Sequence, residues 1–215
     1  AQATQLVTQH MPCVEVNLNC GCPSHVVAGK QCFGARLMAD PVRVGACVAA
    51  MQRVSSVPVT VKHRLGTDLS GADYDATSRF VKTVAEFGVR HFALHARMAI
   101  LGVRISTEKN RSVPPLKPEV AHMLARDLPE LTFSLNGGLK TLADCVTHLM
   151  PGDDDLPPVH SAMVGRAAWH APCDLLASAD IDVYGKATSP ASHRRALVER
   201  YADYLDDFYV RSMTD

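Results

Sequence analysis

The sequence has no long hydrophobic run. Its apolar residues come in short stretches broken by charge, far from the roughly 18 consecutive apolar residues of a membrane helix, so no membrane partner is expected. Charge of one sign is not in excess either, 22 basic residues standing against 22 acidic ones. Proteins that hold nucleic acid by bulk electrostatics show a basic surplus, which leaves only a local basic face for such a role. The start carries neither a charged-then-apolar leader nor an initiator methionine, so Ala1 reads as a point inside a longer protein. The seven cysteines are odd in number and sit beside apolar runs, unlike a disulfide framework, and a reducing, cytoplasmic compartment is expected. Cys20, Cys22 and Cys32 lack a second well-spaced pair, so no metal site is expected.

What is present is an ordinary globular composition, 47% hydrophobic and 20% charged over 215 residues. Short β-branched runs at 14–18 (VEVNL), 57–62 (VPVTVK), 91–95 (HFALH), 131–136 (LTFSLN) and 161–164 (SAMV) alternate with amphipathic stretches. That is the pattern of βα units around a parallel sheet. Asp40 and Pro41 open one helix, with Val44, Cys47, Val48 and Met51 on one face. The next carries Phe80, Val81, Val84 and Phe87 and stops at Gly88. A third is predicted over 118–127. Thr141 and Asp144 form a capping box before Leu142, Cys145, Val146 and Leu149. Ser189 and Pro190 open a last helix with Leu197, Tyr201, Leu205 and Phe208 on one stripe. The acidic, proline-bounded stretch 152–158 (GDDDLPP) reads as a surface loop.

The polar strand ends Asn19, Lys62, His95, Asn136 and Gly165 are spaced by 43, 33, 41 and 29 residues, which suits successive units of a (β/α)₈ barrel. Such a barrel needs eight strands and about 250 residues. The sequence is therefore expected to be a barrel fragment of about five strands with apolar inner side chains, residues 1–180, followed at 181–215 by the start of a helical domain. An open doubly wound sheet is the alternative.

In a barrel the active site gathers at the carboxyl ends of the strands. Cys22, in the turn after the first strand, is the candidate acid, because an ordinary thiol is still protonated near neutral pH and can protonate a carbanion-like centre. The other reading is a buried structural cysteine. Lys62 ends a mainly apolar strand and must reach water or meet an anion. In a flavin site such a cation stabilises the reduced ring. His95 is a ring or phosphate partner, or a core histidine. Asn136, Gly137 and Gly138, with Gly165 and Arg166, would set backbone N–H groups and a guanidinium around an anion.

These residues carry a family resemblance. N-L-N-C-G-C-P-S at 17–24, F-G-A-R-L-M at 33–38, V-T-V-K at 59–62, H-A-R at 95–97, N-R-S-V-P-P-L at 110–116, N-G-G at 136–138 and V-G-R at 164–166 resemble the tRNA-dihydrouridine synthases, the bacterial A-type branch in particular. The resemblance implies a flavin-dependent TIM barrel followed by a helical domain; a monomer is expected. It implies reduction of D-loop uridines of tRNA, at positions 20 and 20a, to dihydrouridine, with FMN as cofactor and NADPH as reductant. It makes Cys22 the proton donor, and Lys62, His95, Asn136, Gly137, Gly138, Gly165 and Arg166 the FMN-binding residues. Asn19, His25, Arg97, Lys109, Asn110 and Arg111 fall where the family meets tRNA. The family's first strand, and a glutamine from its third, would precede Ala1. Two alternatives stand beside this reading: an FMN barrel reductase of a small pyrimidine, dihydroorotate dehydrogenase-like, and a non-catalytic RNA-binding remnant. The basic run Arg97, Arg104, Lys109, Arg111 and Lys117 favours a polynucleotide over a small pyrimidine.

Overall fold

The computed structural model describes residues 1–29, 33–68, 70–101, 105–151, 156–189 and 194–214. Five strands, β1 (Val16–Cys20), β2 (Val59–Arg64), β3 (His91–His95), β4 (Thr132–Asn136) and β5 (Ser161–Met163), pair in parallel in the order of the chain. Nowhere among the described residues does the order reverse. A doubly wound sheet needs such a reversal, so the open-sheet alternative is set aside in favour of barrel-type winding.

The helices between the strands are α2 (Pro41–Gln52), α3 (Tyr74–Ala85) and α4 (Glu119–Asp127), after an N-terminal helix α1 (Gln2–His10) that the hydrophobic pattern did not announce. Asp40 caps α2 by accepting from Arg43 N, and Asp73 caps α3 by accepting from Ala76 N. After α3 the chain turns through Gly88, whose φ of +96° lies in the left-handed region. The core lies between these helices and one face of the sheet. Val44, Val48, Phe80, Val81, Val84, Val120 and Leu124 pack against Val59, Val61, Phe92, Leu94, Phe133 and Leu135. Each such side chain buried contributes on the order of 1.5–3 kcal/mol.

The other face corrects the expectation of apolar inner side chains. Asn17 Nδ2 donates to Thr60 Oγ1 at 2.7 Å, and His91 bonds Thr132 Oγ1 at 2.7 Å and Ser134 Oγ at 2.8 Å. Strand periodicity places all of these on one side, where each side chain finds its partner on the neighbouring strand. β1 and β2 also run two residues beyond their expected ends. Pro58 has no N–H to give the ladder, so the pairing starts later, at Val16 with Val59, and continues to Cys20 with His63. Backbone pairing does not stop at a polar side chain when that side chain has a polar face to join.

The chain divides into two compact units. One comprises Ala1–Gly138 and Thr147–Met163, the other Leu139–Val146 and Val164–Asp215. Helix α5 (Leu142–Leu149) starts in the second unit with the expected capping box, Asp144 N donating to Thr141 Oγ1 and Thr141 N to Asp144 Oδ2. The second unit continues through α6 (Arg166–His170), α7 (Pro172–Leu176), α8 (Ala179–Asp182) and α9 (Arg194–Thr214). On α9, Leu197 and Leu205 are half-buried, while Tyr201 and Phe208 are exposed. Residues 152–155 of the acidic loop, Pro190 at the predicted start of the last helix, Cys32 and Arg104 lie outside the described residues.

Candidate active site

Parallel pairing decides which side chains share the polar face at the carboxyl ends of the strands. Asn19 pairs with Lys62, while Arg64, His95 and Asn136 form one row across β2, β3 and β4. Lys62 Nζ donates to Asn136 Oδ1 at 3.0 Å, and Asn136 Nδ2 donates to Met163 O at 2.7 Å. To reach β4 the lysine crosses β3, where its partner in the register is Ala93, small enough to leave the way open. Burial draws the Lys62 ammonium down to about 8, and the nearby Arg64 charge adds to this. It stays charged at neutral pH, held by a neutral amide. Among the described residues no carboxylate pairs with Lys62, Arg64 or Arg111. Cations placed this way stabilise negative charge brought against them.

The turn after β1 carries the thiol. Asn19 Oδ1 accepts from Gly21 N at 3.0 Å and opens the turn, and Ala35 N donates to Cys22 O at 2.8 Å and closes it. Gly34 has a φ of +59°, and a Cβ there would lie 2.5 Å from Cys22 O, so the F-G-A stretch can approach only as glycine. Cys22 is half-buried at the mouth. Cys20, two residues earlier, belongs to the core, and burial pushes its thiol up to about 12, with Cys47 adding.

Arg64 was not foreseen, because β2 was expected to end at Lys62. Period-two alternation carried two residues further would have placed it on the face of Lys62. It is 3% exposed and donates from Nε to Gly21 O at 3.0 Å, and from Nη1 to Met98 O at 3.1 Å and Asn110 O at 2.8 Å. Burial lowers its guanidinium to about 10, the Cys22 sulfur opposing the shift while Arg97 and Arg111 add to it.

Several residues expected to meet RNA hold the chain itself. Arg97 Nη1 donates to Ser112 O at 3.3 Å and also to Pro114 O. Asn110, 1% exposed, accepts from Ile100 N at 2.8 Å and donates to Ile100 O at 2.9 Å. Lys109 is exposed, whereas Arg111 is half-buried with its Nε unpartnered among the described residues. His25 starts a short π-helical turn, His25–Gly29, and its side chain lies outside what is described.

The glycine turns separate into two kinds. Gly137 and Gly138 have φ of +104° and +79°, and a Cβ would lie 2.6 Å from His95 Cδ2 at the first and 2.4 Å from Leu116 Cδ2 at the second. His95 itself is buried. Packing within the chain therefore already requires both glycines. Gly165, in the second unit, has a φ of −117° and, among the described residues, nothing within 4 Å of an added Cβ. Nothing among those residues requires its lack of a side chain. The exposed Arg166 follows as the first residue of α6.

The donor set of the first unit suits a flavin ring: Lys62, His95 and Asn136 offer a cation and polar ring partners. A one-way parallel sheet with a thiol and uncompensated cations at the carboxyl ends of its strands is the arrangement of a barrel-type α/β protein whose strand ends suit a negatively charged group. The family profile described as dihydrouridine synthase (Dus) matches residues 1–214. The chain belongs to the dihydrouridine synthase family, and its five strands are part of a TIM barrel. It is 45% identical to the tRNA-dihydrouridine(20/20a) synthase of Pseudomonas putida over 186 residues, covering 86% of this chain and 52% of the relative. To the protein of the same name from Synechocystis it is 40% identical over 193 residues, covering 90% and 54%. The chain thus spans about half the length of the curated relatives it matches. None of its described helices is long and apolar enough to cross a membrane, and no group of acidic, histidine and cysteine side chains among the described residues could hold a metal ion.

Proposed function

We propose that the protein carrying this sequence reduces uridine in the D-loop of tRNA to 5,6-dihydrouridine, at position 20 or 20a, as a cytoplasmic monomer using FMN and NADPH. The observation that carries the reading is Lys62, a cation held by Asn136 on the face where the Cys22 turn opens. Membership in the dihydrouridine synthase family and the names of its relatives support it. Bound FMN, reduced by NADPH, would supply hydride to C6 of the uracil ring. Cys22 supplies the proton: as the C5 carbon gains electron density, the S–H bond breaks towards it, and solvent later returns a proton to the thiolate. Lys62, with His95 and Asn136, holds the cofactor ring, while Gly165 and Arg166 keep the phosphate role that the resemblance implies. A stacked base cannot enter a barrel mouth, so the uridine must leave the RNA stack. The exposed Lys109 and the half-buried Arg111 meet its backbone.

The test is Cys22→Ala in the flavin-loaded protein acting on unmodified tRNA. Flavin reduction by NADPH is expected to continue, and dihydrouridine formation to slow by about 10² or more. Normal turnover would remove Cys22 from the mechanism. Turnover of a free pyrimidine in place of tRNA would favour the small-substrate reductase, and a colourless protein that still bound tRNA would favour the RNA-binding remnant.

A further inference from the structure

We propose that Arg64 is a positioning residue for Cys22, a buried guanidinium that ties the turn carrying the thiol to the segments 97–101 and 109–111. The inference rests on the reading of Cys22 as proton donor. Its geometry stands apart from that reading. Arg64 Nε donates to the carbonyl of Gly21, the residue before Cys22, while Nη1 donates to the carbonyls of Met98 and Asn110. These acceptors lie 43, 34 and 46 residues away in the chain, so one side chain joins three separate segments. The Asn110 side chain, bonded to both backbone groups of Ile100, locks two of the three together. The next carbonyl, that of Cys22, is held by Ala35 N, with Gly34 pressed against it. The turn is therefore fixed at two successive carbonyls, Gly21 by Arg64 and Cys22 by Ala35.

The fork of an arginine is what this arrangement requires. Its N–H groups diverge in one plane and can reach several carbonyls at once, whereas a lysine ammonium is a point charge on a flexible stem. Among the described residues Arg64 has no carboxylate partner, and backbone dipoles take that place. Proton transfer to carbon depends steeply on alignment, and a displacement of about 1 Å at the donor can cost on the order of 10² in rate. A residue that fixes the donor's turn therefore acts on the proton-transfer step without touching the substrate.

The experiment compares wild type, Arg64→Gln and Arg64→Lys in the protein carrying this sequence. Alkylation by iodoacetamide is followed at each cysteine by mass spectrometry. The exposed Cys47 serves as internal reference and the core residue Cys20 as the check on folding. In both variants Cys22 is expected to react about fivefold faster relative to Cys47, with Cys20 still protected and amide exchange at Gly21, Cys22 and Ile100 accelerated together. In the flavin-loaded protein, reduction by NADPH is expected to keep its rate while uridine reduction slows about tenfold or more, and lysine does not rescue it. Unchanged Cys22 reactivity and exchange would overturn the proposal. So would exposure of Cys20 along with Cys22 in both variants, or equal slowing of the two half-reactions, since either makes Arg64 a general stabiliser. If the wild type reduces no uridine at all, the proposed function fails, and the alkylation and exchange results still decide whether Arg64 positions Cys22.

Discussion

Lys62 shows how one residue is made to carry charge where water is scarce. Its value in the folded chain, about 8, lies below the ordinary 10.5, and burial is the main cause. For a base lowered by folding, the charged form is disfavoured in the native state, so the cost is present in full below about 8 and is relieved as pH rises towards 10.5. Between those values the unfolded chain holds more protons than the folded one, and stability rises with pH. Urea midpoints of wild type and Lys62→Met, measured side by side from neutral to alkaline pH, are expected to diverge in favour of the wild type across that window. A constant difference would mean that the ammonium is solvated as well in the fold as outside it. The residues of the candidate site that were legible in the sequence, Cys22, Lys62, His95 and Asn136, are polar groups at the ends of apolar runs. Arg64 was not legible because it follows the apparent end of its strand, and Asn110 because a buried amide clamp and a ligand-facing amide look the same in a sequence.

Among the elements, the capped starts of helices are more legible in the sequence than the ends of β1 and β2, although α1 carries no such signal. The Asp40 cap and the Thr141 with Asp144 box are local signals that involve neighbouring residues, and the structure forms them as expected. Strand ends depend on a partner strand far along the chain, which is why β1 and β2 were placed two residues too early. The loops after β4 and β5 illustrate the same division. At Gly137 a side chain would meet both an unfavourable φ and the His95 ring, so Gly137→Ala is expected to destabilise the fold by roughly 1–3 kcal/mol whether or not a ligand binds. Gly165→Ala is expected to leave thermal stability within about 0.5 kcal/mol of wild type, because its φ is ordinary and the space is open. If its backbone approaches a phosphate, flavin retention through gel filtration falls in that variant all the same. Retention equal to wild type would remove Gly165 from the cofactor site.

Across the whole molecule a net charge of zero conceals a local gathering of Lys62, Arg64, Arg97 and Arg111 at the carboxyl ends of the strands. The bonds that assemble this end of the sheet are long in sequence. Lys62 and Asn136 are 74 residues apart, Arg64 and Gly21 are 43, and Arg64 and Asn110 are 46. Each can form only after the intervening strand and helix have docked, since closing such loops costs entropy that local contacts must first offset. In pulse-labelled refolding from urea, amides of α2, α3 and α4 are therefore expected to gain protection before those of Leu65 and Ala96, which donate to Arg97 O and Asn136 O. Simultaneous protection in one phase would contradict that order. The timing has a chemical side: a nascent or partly folded chain contains every group of the site but not their arrangement, so the thiol and the cations come together only in a molecule whose sheet is already built.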